Sequence, residues 1–197
     1  MKVKAIFLIF ILVSLAVIMT RCSQPQSGGG SSYFPNTEGD TWRYSSTDGS
    51  TTMTTAEGMI SIASTTAQIF RSTYISASGA ISNGETYFRV DNSGVYAYGF
   101  LGFPFSIGIP LLVFPLEVGK NWNVFVSGPI SVNATVVNRE NLTVPAGTFD
   151  CYKVHYAFMS GTVESYALSF WFGNNAGITK NTTSASTIET VLNWKNF

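Results

Sequence analysis

Charge is the scarcest resource in this chain. Only 11% of its 197 residues are charged, against about 25% in ordinary soluble domains. Eleven Lys and Arg balance eleven Asp and Glu. No basic surface is therefore available to meet phosphates, which excludes a nucleic-acid partner. Histidine occurs once and cysteine twice, too little for a metal centre. Disorder is excluded by the opposite excess: 45% of residues are hydrophobic and 14% aromatic, whereas disordered chains combine low hydrophobicity with high charge. Only Ala5 to Met19, interrupted by Ser14 alone, forms a long apolar run. It is shorter than the roughly 20 residues that cross a bilayer as a helix.

Signatures of catalysis are also lacking. There is no G-x-S-x-G elbow, no H-E-x-x-H and no D-x-D-x-D-G loop. Gly119-Lys120 is followed by Asn121, not by the Ser or Thr of a phosphate loop. Cys151 and His155 invite a nucleophile–base reading. On a strand they would face the same way but lie roughly 13 Å apart, beyond hydrogen-bond reach. The expectation is a protein that is not an enzyme, with no cofactor and no metal. An acid–base pair drawn from the eleven carboxylates is the residual enzyme reading, and no spacing selects one.

What is present begins with an address. Lys2 and Lys4 precede the apolar run, the pattern of a secretory signal over residues 1–21. Residues 22–32 carry no charge and are rich in Ser, Gly and Gln, as in a flexible tether. Without Lys2, Lys4 and Arg21 the remainder has eight basic and eleven acidic residues, a mildly acidic balance. A cysteine between an apolar signal and a polar tether resembles the lipid-attachment site of bacterial lipoproteins. The resemblance implies that Cys22 becomes the acylated first residue and anchors an exported chain to a membrane of the cell envelope, on its periplasmic or surface side. An uncleaved N-terminal anchor and ordinary secretion are the other readings of this segment.

Residues 33–197 read as one β domain. Period-two alternation recurs: Val132, Ala134 and Val136; Tyr152, Val154, Tyr156 and Phe158; Tyr166, Leu168, Phe170 and Phe172. Asp48-Gly49, Asn83-Gly84, Ser160-Gly161 and Asn174-Asn175-Ala176-Gly177 punctuate these runs as turns. Ten to twelve antiparallel strands are expected. Phe34-Pro35-x-x-x-Gly39-x-x-Trp42 returns eighty residues later as Phe114-Pro115-x-x-x-Gly119-x-x-Trp122. The repeat suggests similar halves, 33–113 and 114–197. Each would open on a glycine turn and a strand anchored in the core by tryptophan.

No charge occurs from Asn92 to Leu116. Pro104 and Pro110 interrupt the apolar stretch 100–115 and argue against both helix and strand there. It is expected to be a long apolar connection between the halves. Three readings follow: packing over an open end or concave face of the sheet, lining or gating a site for an apolar ligand, or contact with a membrane. Phe103, Phe105, Ile107, Ile109 and Leu112 are the candidate lining.

Three segments together resemble uncharacterised bacterial envelope lipoproteins: Tyr33-Phe34-Pro35 through Gly39-Asp40-Thr41-Trp42-Arg43-Tyr44, Val144-Pro145-Ala146-Gly147-Thr148-Phe149-Asp150-Cys151-Tyr152-Lys153-Val154, and Trp171-Phe172 leading to Ala176-Gly177-Ile178. The resemblance implies an all-β antiparallel meander that curves into a half-barrel or open barrel. It is distantly similar to the half-barrels of periplasmic lipoprotein carriers and lipid-binding lipoproteins. A β-sandwich is the alternative architecture. The expected function is a membrane-anchored envelope lipoprotein that binds a lipid or other hydrophobic ligand. The alternative is a structural or protein-interaction lipoprotein without a small-molecule ligand.

Overall fold

A computed structural model describes residues 31–62 and 64–197. The expected signal, most of the tether and Cys22 lie outside the described residues. After a 3-10 turn at Ser31–Tyr33 the chain runs as an antiparallel meander. Its strands are β1 (Thr41–Ser46), β2 (Thr51–Ile62), β3 (Thr65–Ile75), β4 (Ile81–Asp91), β5 (Gly94–Phe100) and β6 (Phe103–Val113). There follow β7 (Asn121–Ser127), β8 (Ile130–Val144), β9 (Gly147–Ser160), β10 (Val163–Gly173), β11 (Gly177–Thr183) and β12 (Glu189–Lys195). All twelve belong to one sheet of order β6-β5-β4-β3-β2-β1-β12-β11-β10-β9-β8-β7. The sheet curls into a nearly closed barrel. β1 and β12 are laddered, and β6 and β7 flank the one unsealed seam.

Alternation assigns the faces. Val132, Ala134, Val136, Val154, Tyr156, Phe158, Leu168, Phe170 and Phe172 all join the central apolar cluster. Their neighbours in sequence point outward. Trp42, Tyr44, Phe34, Phe70, Phe88, Tyr156 and Phe170 are the largest fully buried side chains. Edge-to-face ring contacts link several of them, such as Phe34 with Phe88 at 5.3 Å and Tyr156 with Phe170 at 5.5 Å. Such pairs add about 0.5–1.5 kcal/mol beyond the area they bury.

Both F-P-x-x-x-G-x-x-W segments build the same turn. Gly39 (φ 86°) and Gly119 (φ 92°) occupy the left-handed region that other residues enter only under strain. Gly39 N donates to Ala56 O, Ala56 N to Asp40 O and Asp40 N to Thr37 O. Gly119, Val136, Lys120 and Glu117 make the corresponding three bonds eighty residues on.

One end of the barrel is plugged. Phe34 enters between Phe70 and Phe88, Asn175 N donates to Ser32 O, and Ala146 N reaches across to Leu192 O. The arriving chain is fastened there as well. Arg139 grips Asp150 with two bonds of 3.0 and 2.7 Å, and Tyr33 OH donates to the same carboxylate. Arg139 holds the Asp150 carboxyl below the usual range. Burial, reinforced by Asp150, pushes the Tyr33 phenol up to about 12. The turns at the opposite end are those of the hairpins β1–β2, β3–β4, β5–β6, β7–β8, β9–β10 and β11–β12.

The structure corrects the expectation for residues 100–115. The stretch is not a connection but an edge strand, β6. Its prolines are tolerated because an outermost strand owes no N–H to a second neighbour. The ladder with β5 shifts register beside both, with Tyr96 opposite Pro110 and Gly99 opposite Pro104.

Candidate functional site

The seam follows from the sequence. At the laddered junction, β12 sets Thr190 and Lys195 opposite Ser46 and Trp42 of β1. Eighty residues before Thr190 and Lys195 stand Pro110 and Pro115, which have no N–H to give. A ladder like that between β12 and β1 would lack these two donors at the β6–β7 junction. Two side chains from β7 and β9 replace it. Trp122 Nε1 donates to Pro110 O at 3.1 Å, and Tyr156 OH donates to Leu111 O at 2.8 Å. Burial in the core pushes the Tyr156 phenol far above its ordinary range, so it stays a donor at any physiological pH. The sequence reading took Trp122 for a core anchor like Trp42. Trp42 is fully buried, whereas Trp122 is half-buried and serves the seam.

These bonds hold the seam at the half of β6 nearer the plug. Beyond Ile109, toward the open-turn end, β6 bows away from β5 for four residues before pairing again at Pro104 and Phe103. No residue of β5 pairs with Phe105, Ser106, Ile107 or Gly108, which bow out opposite Tyr98. A Cβ on Gly108 would stand 2.7 Å from the Tyr98 ring. The absence of a side chain there lets the aromatic ring lie against the bowed strand. Tyr98 itself packs against a second apolar cluster of Ile62, Ala67 and Tyr87 on the outer wall of β2 to β5.

The five candidate lining residues separate. Leu112 is fully buried in the core and Ile109 packs against it. Phe105 is half-buried. Phe103 and Ile107 stand 63% and 73% exposed. The structure therefore joins two of them to the packed interior, leaves Phe105 and Ile107 on the unpaired part of the edge, and sets Phe103 at its end, paired with Phe100. Val126, on β7 across the seam, is also exposed.

The interior near this end has two characters. Thr52 and Thr54 on β2, Thr86 on β4, Asn181 on β11 and Thr190 on β12 are buried. Hydroxyl pairs such as Thr54 with Ser72 and Ser46 with Thr190, each at 2.8 Å, lie within this wall. Phe158, Tyr166 and Leu168 come from β9 and β10.

Residues 126–186 match a family model described as DUF3108-like. Two solved structures share the fold. One is a protein described as exported, with a YmcC-like fold, from Bacteroides fragilis. It is 17% identical, with a TM-score of 0.58 over 83% of this chain and 98% of that one. The other is described as a lipoprotein, from Parabacteroides distasonis. It is 18% identical, with a TM-score of 0.54 over 87% of this chain and all of its own. No curated protein matches the sequence. At such identities the likeness concerns architecture: a barrel-like sheet shared by most of each chain.

Sequence reasoning missed one polar constellation. His155 Nδ1 lies 3.3 Å from Ser169 Oγ, and Nε2 lies 3.3 Å from Glu164 Oε2. β9 and β10 place Ser169 directly opposite His155. The sequence signal was the alternation itself, which sets these residues on the outer wall. The three sit on an open sheet face, with Glu164 and His155 partly in water, so nothing excludes solvent from a reacting group there. Cys151 shares none of these partners. Its thiol is buried against Thr179 at 3.3 Å, and burial pushes it up to about 11. Among the described residues, no group of three or more His, Cys, Asp or Glu could hold a metal ion.

Proposed function

We propose that this chain is an exported envelope lipoprotein, anchored through Cys22, that binds the apolar tail of an amphiphile at the free half of the seam and carries out no chemistry on it. One observation carries the reading: Phe103 and Ile107 stand exposed on an uncharged edge strand whose residues 105–108 bow out of the ladder with β5 beside the unsealed seam. Exposed apolar surface of this kind in an otherwise packed molecule marks a binding site or an aggregation hazard. The structural neighbours support the envelope location, since they are described as an exported protein and a lipoprotein. The non-enzymatic reading is supported by the water-exposed setting of the Ser169, His155 and Glu164 group. Organic extraction of the protein purified without residues 1–22, followed by mass spectrometry, tests the proposal. An acyl-bearing molecule at about one per chain is expected. An empty extract from native and lipid-supplemented protein alike would refute it.

A second reading has its own observation. The unpaired backbone of Phe105–Gly108 offers a place for an extended segment of an envelope protein to add as a strand. In that case the extract stays empty, and crosslinking in cells through a photoreactive residue at Ile107 captures one protein.

A further inference from the structure

Arg89 on β4 keeps donors in reserve. Arg71 holds Glu57 with two hydrogen bonds and Glu85 with its third nitrogen at 2.7 Å, and Arg139 grips Asp150. Arg89 has no such pairing. Its guanidinium lies over two rings of β5, 4.6 Å from Tyr96 and 5.7 Å from Tyr98. Nη1 reaches Tyr98 OH only at 3.4 Å. Asp91 Oδ2 stands 3.0 Å from Nε, yet the buried Nε makes no hydrogen bond. The other oxygen of Asp91 accepts from Ser93 N and Ser93 Oγ. Nη2 has no partner among the described residues. The side chain is 34% exposed, so an arriving ligand can reach the free N–H groups.

Its position ties this arginine to the seam. β5, β6 and β7 carry no charged residue, so Arg89 is the first cation met on crossing from the seam over β6 and β5. It stands opposite Tyr96, which in turn stands opposite Pro110. Tyr98 faces the bow at 105–108, where Gly108 lets the strand approach its ring. One row of side chains therefore joins the guanidinium to the apolar edge. From Pro110 to Phe103 that edge spans at most about 23 Å, and Ile107 and Phe103 stand exposed along it.

We propose that Arg89 binds the head of the amphiphile at the seam and that this head is an anion, a carboxylate or a phosphate. The inference rests on the ligand reading above and adds the ligand's chemical class. A guanidinium presents paired N–H groups that match two oxygens of such a head. Stacking on Tyr96 and Tyr98 fixes the plane of the fork before the ligand arrives. The tail then lies along Ile107 and Phe103. Asp91 opposes the same head by like-charge repulsion, which gives its removal a definite sign.

The test titrates the folded chain at pH 8 with a polyene fatty acid and, separately, with its methyl ester, which keeps the tail and lacks the charge. The acid is expected to bind at least tenfold more tightly, the size of one charged hydrogen bond. Arg89→Gln should weaken the acid about tenfold and leave the ester unchanged, which also shows that the variant is folded. Arg89→Lys should recover part of the loss. Asp91→Asn should tighten the acid several-fold and leave the ester alone, a gain that a merely structural Arg89–Asp91 pair would not produce. Lysophosphatidic acid and monoacylglycerol serve as competitors. Displacement by lysophosphatidic acid at lower concentration than by unlabelled fatty acid assigns a phosphate head, and the reverse order assigns a carboxylate. Equal affinity of acid and ester in the native chain, weaker acid binding in Asp91→Asn, or monoacylglycerol competing as well as lysophosphatidic acid overturns the head site and leaves the seam reading standing. Binding of neither probe overturns both.

Discussion

Tyr156→Phe isolates one hydroxyl that the seam depends on. The ring would keep its place against Phe170, while Leu111 O would lose the donor that reaches it at 2.8 Å from β9. That carbonyl belongs to an edge strand whose other side is already paired with β5, so no ladder partner can replace the phenol. Leaving a buried acceptor unsatisfied costs about 1–3 kcal/mol. For a domain of this size each kcal/mol moves the melting temperature by about 2–4 °C, so a fall of about 4–8 °C is expected at the middle of the range. Thermal and urea unfolding followed by tryptophan fluorescence would measure it. Tyr166→Phe serves as comparison, because its half-buried phenol meets Thr183 Oγ1 within the laddered wall and should cost less than half as much. Native-state hydrogen exchange adds a local readout: opening should speed exchange around β6 and β7 more than around β1 and β12. A loss below about 0.3 kcal/mol, or uniform exchange, would refute the view that side chains stand in for a missing ladder.

Glycine contacts give a paired test. A Cβ on Gly99 would meet the Tyr87 ring at 2.3 Å and Phe103 O at 2.9 Å, whereas one on Gly58 meets nothing within 4 Å. Gly99→Ala should destabilise by about 2 kcal/mol or more, while Gly58→Ala should be neutral or gain about 0.5 kcal/mol. Equal effects on urea midpoints would contradict the packing at the β5–β6 bulge. Cys151, buried and pushed up to about 11, should resist thiol reagents at pH 8 in the Cys22→Ser chain and react only at the rate of unfolding; rapid labelling of folded protein would be inconsistent with its setting. Asp150 is held low by Arg139, so its contribution is complete above the ordinary aspartate range near 4 and is lost as pH falls through the lowered value. The stability gap between the native chain and Asp150→Asn should be constant from pH 7 to 5 and close below about 4; a gap that persists in acid would assign it to packing.

The barrel's strands were legible where alternation was strong. Tyr152, Val154, Tyr156 and Phe158 were read as one face, and they line the core, because burial on one side leaves a period of two in the residues themselves. The twelve-strand antiparallel sheet was likewise within reach of the turn signals. Residues 100–115 were not legible. Pro104 and Pro110 were read as breaking a strand, since the missing N–H matters only if a neighbour needs it, and which strand is outermost is decided by the closure of the whole sheet. The candidate site divided for the same reason. The apolar character of Phe103 through Leu112 was visible, but Leu112 and Ile109 turn into the core while Phe103 and Ile107 face water. That difference depends on the bulge opposite Tyr98, which no local pattern announces. Trp42 and Trp122 occupy matching motifs yet have unlike partners, because one lies in a laddered junction and the other beside a proline-bearing edge.

The proposed ligand site is the free half of the seam. Titration of a naturally fluorescent polyene fatty acid into the folded protein, with the native chain compared with Phe103→Asp/Ile107→Asp, tests this most directly. Both positions are exposed, so the double variant should keep its unfolding midpoint. Saturable binding near one per chain, weakened at least tenfold by the double substitution, is the expected result. Absence of binding to the native chain, or equal affinity in the variant, would contradict it.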